Sequence, residues 1–169
     1  MPRVGEPLFG IVSDPNTKGI VWASNNPNIA NTSTGFLESG ADQTSKIIFY
    51  SDQSIKDHSS YKKIAKFFNI KFEGGAVSNA ISVTKTPRSV YFKLPKTTTG
   101  GCAIWDLAAV YLIAKEKRMR LTSFYGDILN FNKKESLYFN REGIMLASCE
   151  NTLLEVKDIL TQIEDEEPT

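Results

Sequence analysis

The chain has 169 residues, enough for one domain with a substantial core or for part of a larger one. Its 41% hydrophobic and 23% charged residues are the proportions of an ordinary soluble protein. Lys+Arg number 20 against 19 Asp+Glu, and the resulting net charge of +1 gives no reason to expect a nucleic-acid polymer or a membrane as partner. Residues 1–6 lack the apolar core of a signal peptide, and no run reaches transmembrane length. Cys102 and Cys149 are too few for a disulfide scaffold, so a reducing cytoplasm is the expected compartment. His58 is the single histidine, which excludes His-rich zinc sites and multi-His catalysis.

In chain order, residues 8–13 and 20–24 are short β-prone runs joined by the turn-forming Asp14-Pro15-Asn16-Thr17-Lys18-Gly19, which predicts a hairpin. Residues 25–45, rich in Asn, Thr, Ser and Gly, read as a surface excursion, and residues 46–50 as a compact strand. Tyr61, Ile64, Ala65 and Phe68 fall at helical spacing. A short strand over 70–72 ends at Gly74-Gly75, a helix is expected over 76–83, and a strand over 89–94 stops at Pro95. Ile104, Leu107, Ala108, Tyr111 and Leu112 predict the clearest helix, with one continuously apolar face. Strands follow over 119–124 and 143–147, separated by a turn at Tyr125-Gly126-Asp127. Thr152-Leu153-Leu154-Glu155 fits a capping box opening a last helix that packs through Leu153, Val156, Leu160 and Ile163. The domain is expected to span 1–163 with a frayed acidic tail at 164–169, in an α/β layered arrangement without internal repeats.

One acidic residue stands out. In "GGCAIWDLAAVYLI" Asp106 follows Trp105 at a helix N-terminus, where N–H groups and the macrodipole stabilise negative charge. Gly100 and Gly101 just upstream permit close backbone approach by a ligand. Such an Asp is either a ligand or simply a cap.

"IWDLAA" resembles the W-D-x-A-A-G signature of the inositol monophosphatase-like, Mg-dependent phosphatase superfamily. "GEPLFGIVSDP" resembles the family strand after its first metal motif, and "SVYFKLP" the strand approaching the Trp-Asp helix, especially in the 3'(2'),5'-bisphosphate nucleotidase branch. "GDILNFNKKESLYFNREGIMLAS" resembles the closing segment and last strand. The resemblance runs in order from about Gly5 to Ser148 and covers the C-terminal portion of the family fold. It implies Mg²⁺ as cofactor, with Asp106 as one of several carboxylate ligands and Trp105 as a packing residue.

The family's other ligands, a Glu and the two Asp of D-P-[IL]-D-G-[ST], find no match here. Asp14-Pro15-Asn16-Thr17 imitates that motif but lies after the "LFGIV" strand and is read as a hairpin turn. Mg²⁺ sheds its waters reluctantly and is held by several carboxylates plus substrate phosphate, so one Asp is expected to bind it weakly and the chain to be a poor phosphatase or none. Two further departures are Val110, where the family has Gly, and Glu116-Lys117-Arg118-Met119 in place of E-A-G-G.

Lys85, Arg88, Lys93 and Lys96 fall within twelve positions before the Trp-Asp helix. By the resemblance Lys93 approaches substrate, where a cation could pair with a second phosphate; a solvated strand edge is the alternative. Lys93, Lys96 and Gly75 are the candidate substrate-binding residues, Gly75 through N–H groups offered to an anion or as an ordinary strand-to-helix turn. Asn79 stands near a position where nucleotidases carry Lys, which counts against a nucleotide. His58 is expected to flank the Tyr61 helix and Cys102 to be a small buried residue rather than a nucleophile. The partner is expected to be a phosphorylated small molecule, tilted toward bisphosphorylated nucleotides or sugar phosphates. A complementary N-terminal half or a second copy would cover the exposed face. The alternative is a non-catalytic binding or subunit-interaction module on the same fold.

Overall fold

The structure, a computed structural model, describes residues 7–14, 19–26, 45–98 and 100–165. The tip of the first turn, most of the Asn/Thr-rich excursion and the end of the acidic tail lie outside the described residues. Strands β1 (Phe9–Asp14) and β2 (Gly19–Ser24) form the expected antiparallel hairpin, in register from Phe9↔Ser24 to Asp14↔Gly19. It is a two-stranded sheet separate from the main one.

The main sheet has five strands in the order β4-β3-β5-β7-β6: β3 (Ile48–Tyr50), β4 (Asn69–Lys71), β5 (Ser89–Lys93), β6 (Leu121–Thr122) and β7 (Ile144–Ala147). β3 lies parallel to β4 and β5, each connection carrying a helix: α1 (Tyr61–Phe67) leads to β4 and α2 (Ala76–Val83) to β5. After α3 (Ile104–Glu116) the chain adds β6 at the far edge and β7 antiparallel between β5 and β6. Such a sheet needs cover on both faces, and strict alternation provides it. Ile47, Phe49, Val90, Phe92, Met145 and Ala147 point to one face and join Ile64, Phe68, Leu153, Val156, Leu160 and Ile163. Phe49 and Phe92 stack there at 4.0 Å with Phe68 edge-on. Tyr50, Tyr91, Ile144 and Leu146 point to the other face, against Ala80, Ile81, Val83, Leu107 and Val110. The layers are therefore α1 with α4 (Glu150–Asp165), the five-stranded sheet, α2 with α3, and the hairpin on α3.

Three expectations need correction. α3 buries Leu107, Val110, Leu112, Ile113 and Ala114, not a single stripe, because the sheet and the hairpin cover it from two sides. The strand expected over 119–124 shrinks to β6: the Met119 N–H closes the end of α3 on Ala114 O, and Ser123 and Phe124 turn to Asp127 and Glu142. α4 starts at Glu150, so Thr152 is a buried helical residue whose hydroxyl meets Cys149 Sγ at 3.2 Å. No capping box forms, because Glu155 reaches instead to Arg88. α4 runs on through Glu164 to Asp165.

Candidate phosphate site

The site gathers where β3 and β5 end, beside the starts of α2 and α3. In a parallel sheet this is where loops diverge and leave a crevice. Lys93 closes β5 on the Tyr91 face, and its Nζ lies 2.5 Å from Oδ2 of Asp52, the second residue past β3. Asp52 Oδ1 accepts the Asn79 side-chain amide at 2.9 Å. Asn79, fully buried in α2, also donates to Gly74 O at 3.0 Å and accepts the Glu73 N–H at 3.3 Å. Its amide is thus spent on holding Asp52 and the loop before α2. Behind this pair lies Tyr91, whose buried Oη makes no well-formed hydrogen bond; its neighbour is the Cys102 thiol, a weak partner. Burial first, then Cys102, Asp52 and Asp106, push the Tyr91 phenol well above its ordinary value. Burial pushes the Cys102 thiol up to about 12; Lys93 opposes this and Asp106 adds to it. Cys102 is therefore the inert, buried residue the sequence suggested.

In front of the pair opens a cavity of about 200 Å³ whose polar wall is Ser51, Asp52, Ser54, His58, Lys93 and Lys96. Gly101 floors it: a Cβ there would stand 3.4 Å from Lys96 Cε. Among the described residues the Lys96 ammonium has no carboxylate partner. His58 flanks α1 as expected, its Nδ1 accepting the Ser60 N–H at 3.2 Å.

Asp106 stands three residues past Ala103, and its Oδ2 accepts the Ala103 N–H at 2.8 Å. It caps α3, and it is not on the cavity wall, although its charge reaches Tyr91 and Cys102. Trp105, expected to pack, is 61% exposed, with the Tyr138 ring in a T-shaped arrangement at 6.0 Å. Gly75 is the N-cap of α2, away from the cavity, and its carbonyl accepts the Asn79 N–H.

The basic run over 85–96 is divided by the strand it spans, because five extended residues carry the chain about 17 Å. Arg88 sits at the opposite end, bidentate to Glu155 at 2.7 and 2.8 Å and bonded to Ser45 O. Lys85 lies beside Lys117, whose ammonium burial and Lys85 hold below its ordinary value. Only Lys93 and Lys96 reach the cavity. Asp52 was missed in the sequence because its partners are 27 and 41 positions away; the pattern polar-Asp directly after a buried strand was the available signal.

The donor set does not by itself fit Mg²⁺. Among the described residues no three His, Cys, Asp or Glu side chains group so as to hold a metal ion. Both Asp52 oxygens are engaged, and one Asp106 oxygen is used by Ala103. Among the described residues no helix is long and apolar enough to cross a membrane.

No protein-family model matches the chain. Solved structures do. Inositol monophosphatase II of Staphylococcus aureus matches with a TM-score of 0.67 at 16% identity, over 96% of this chain and 59% of that one. Inositol monophosphatase from Anabaena (Nostoc) matches at 0.66 and 13%, over 94% and 63%. An IMPase/NADP phosphatase, complexed with Mg²⁺ and phosphate, matches at 0.62 and 15%, over 90% and 55%. The chain thus spans 55–63% of the length of these three neighbours. Its layered α/β architecture is that of the C-terminal portion of the inositol monophosphatase-like fold.

Proposed function

We propose that the chain is a phosphate-ester-binding member of the Mg²⁺-dependent phosphomonoesterase group, with an incomplete metal centre of its own. The supporting observation is the cavity at the ends of β3 and β5, lined by a Lys96 that has no carboxylate partner among the described residues, on a fold shared with phosphatases. Lys96 and the Ser51 and Ser54 hydroxyls would take the phosphoryl oxygens, and His58 Nε2 could donate from the rim. Asp106 would lend its free oxygen to Mg²⁺, which supplies charge neutralisation and an activated water when fully coordinated. The remaining carboxylates would come from a complementary polypeptide or a second copy. By itself the chain is then a weak phosphatase or none.

Calorimetry with inorganic phosphate and a panel of phosphomonoesters, paired with phosphate-release assays in Mg²⁺, tests this. Binding weakened by Lys96→Gln together with little turnover is expected. Robust Mg²⁺-dependent turnover by the pure chain refutes the incomplete centre, and absence of binding refutes the ligand. The lack of a three-donor group among the described residues favours a second reading, a non-catalytic binding module. Under that reading Asp106→Asn leaves phosphate binding unchanged whether Mg²⁺ is present or not.

A further inference from the structure

We infer that Asp52 is a specificity-determining residue that makes this site reject a second phosphate and accept a hydroxyl- or amine-bearing group in its place. The inference rests on the phosphate-ester reading above and departs from the expectation that Lys93 serves a bisphosphorylated ligand.

Lys93 is the cation at the end of β5, yet its charge is already spent. Its Nζ is 2.5 Å from Asp52 Oδ2, and both side chains are mostly shielded, with exposures of 26% and 20%. The pair therefore offers an approaching anion no net charge, and it offers the Asp52 oxygens to any donor. Asp52 is also unable to swing aside cheaply. Its other oxygen takes the amide of Asn79, which is fully buried and fixed at its remaining positions by Gly74 and Glu73. Turning Asp52 away would leave a buried amide donor unpaired. An anion that reached the Lys93 ammonium would have to lie against the Asp52 carboxylate or displace it, and in either place that carboxylate would repel it. Lys96 is the one described cation on the cavity wall without a carboxylate among the described residues. One cation available to one anion matches a monophosphate whose other end is a neutral donor.

The test compares adenosine 3'-monophosphate with adenosine 3',5'-bisphosphate, two probes that differ by one phosphate, titrated calorimetrically into the full chain. The wild type is expected to bind the bisphosphate no more tightly than the monophosphate. Asp52→Asn, which frees the Lys93 charge, is expected to favour the bisphosphate by about tenfold, the scale of one charge-assisted contact. The double variant Asp52→Asn/Lys93→Gln replaces a neutral pair by a neutral pair and is expected to return the ratio to the wild-type value. This variant also serves if Asp52→Asn alone does not fold. A wild type that prefers the bisphosphate tenfold, an Asp52→Asn variant with an unchanged ratio, or a double variant that selectively loses the bisphosphate overturns the inference. Those results leave the phosphate-ester reading standing. Failure of both probes to bind the wild type overturns that reading, and the inference with it.

Discussion

Gly10 in the hairpin lies directly on the backbone of Ala109 in α3: a Cβ at residue 10 would stand 2.7 Å from Ala109 Cα and 2.9 Å from its carbonyl oxygen. No flexible side chain is there to yield, so the hairpin and the Trp-Asp helix can meet at this distance only with glycine. Gly10→Ala is expected to destabilise the chain by about 1–3 kcal/mol in urea melts, the usual cost of overpacking. Ser13→Ala, on the opposite face of β1, should stay within about 0.5 kcal/mol. Equal effects of the two would show that the close contact is unimportant.

Asp106 has a structural role that needs no metal. Its carboxylate accepts the Ala103 N–H at the start of α3, near the positive end of the helix dipole. Asp106→Ala is expected to cost about 1 kcal/mol in chelator-treated buffer, and Asp106→Asn less, because an amide oxygen still accepts that bond. Thermal melts repeated with Mg²⁺ separate the two roles. A cap alone gives the same difference in both buffers, whereas a ligand gives a larger one in Mg²⁺.

The hairpin turns Gly10, Val12, Val21 and Ala23 toward α3, so its paired residues Phe9, Ile11, Ile20 and Trp22 share the other face. Phe9, Ile11 and Ile20 are 53%, 54% and 57% exposed, an apolar patch on a sheet of only two strands. The chain is expected to self-associate or to bind a complementary subunit through this face. Light scattering should show an apparent mass that rises with concentration, and Ile11→Lys with Ile20→Lys should lower it. A clean monomer at high concentration counts against this surface.

The two thiols should differ sharply. Cys149 is exposed and Cys102 buried, with the Cys102 thiol pushed up from 9.0 to about 12. At pH 8 a thiol reagent is expected to modify Cys149 quickly and Cys102 only at the rate of unfolding. A group raised on folding stabilises fully below its unfolded value and loses that contribution as pH climbs toward the folded one. Stability should therefore fall between about pH 9 and about pH 12. Cys102→Ala should make that fall shallower, and Tyr91, raised in the same sense, keeps part of it. An unchanged slope in Cys102→Ala would show that the thiol is not linked to folding.

Much of the local structure was readable because it rests on neighbours a few residues apart. The alternation in Val90-Tyr91-Phe92-Lys93 and the helical spacing of Tyr61, Ile64 and Phe68 fix which faces are apolar whatever they pack against. Thr152 misled because Thr-x-x-Glu is a capping box only when the chain is not already helical. Here Arg88, 67 positions earlier, draws Glu155 away.

The site divides along the same line. Asp106 and Lys93 were visible as single residues through their motifs. That Lys93 is neutralised was not visible, because Asp52, Asn79 and Lys93 sit on β3's end, α2 and β5 and meet only once the parallel sheet sets those ends side by side. The sequence by itself determined the order of elements, the buried faces and the acidic start of α3, since each follows from spacing and local hydrogen bonding. Only the tertiary structure decided which charges meet, which cation on the cavity wall is left without a carboxylate among the described residues and which face of the hairpin stays open, because Coulomb attraction and burial act through space between residues far apart in the chain.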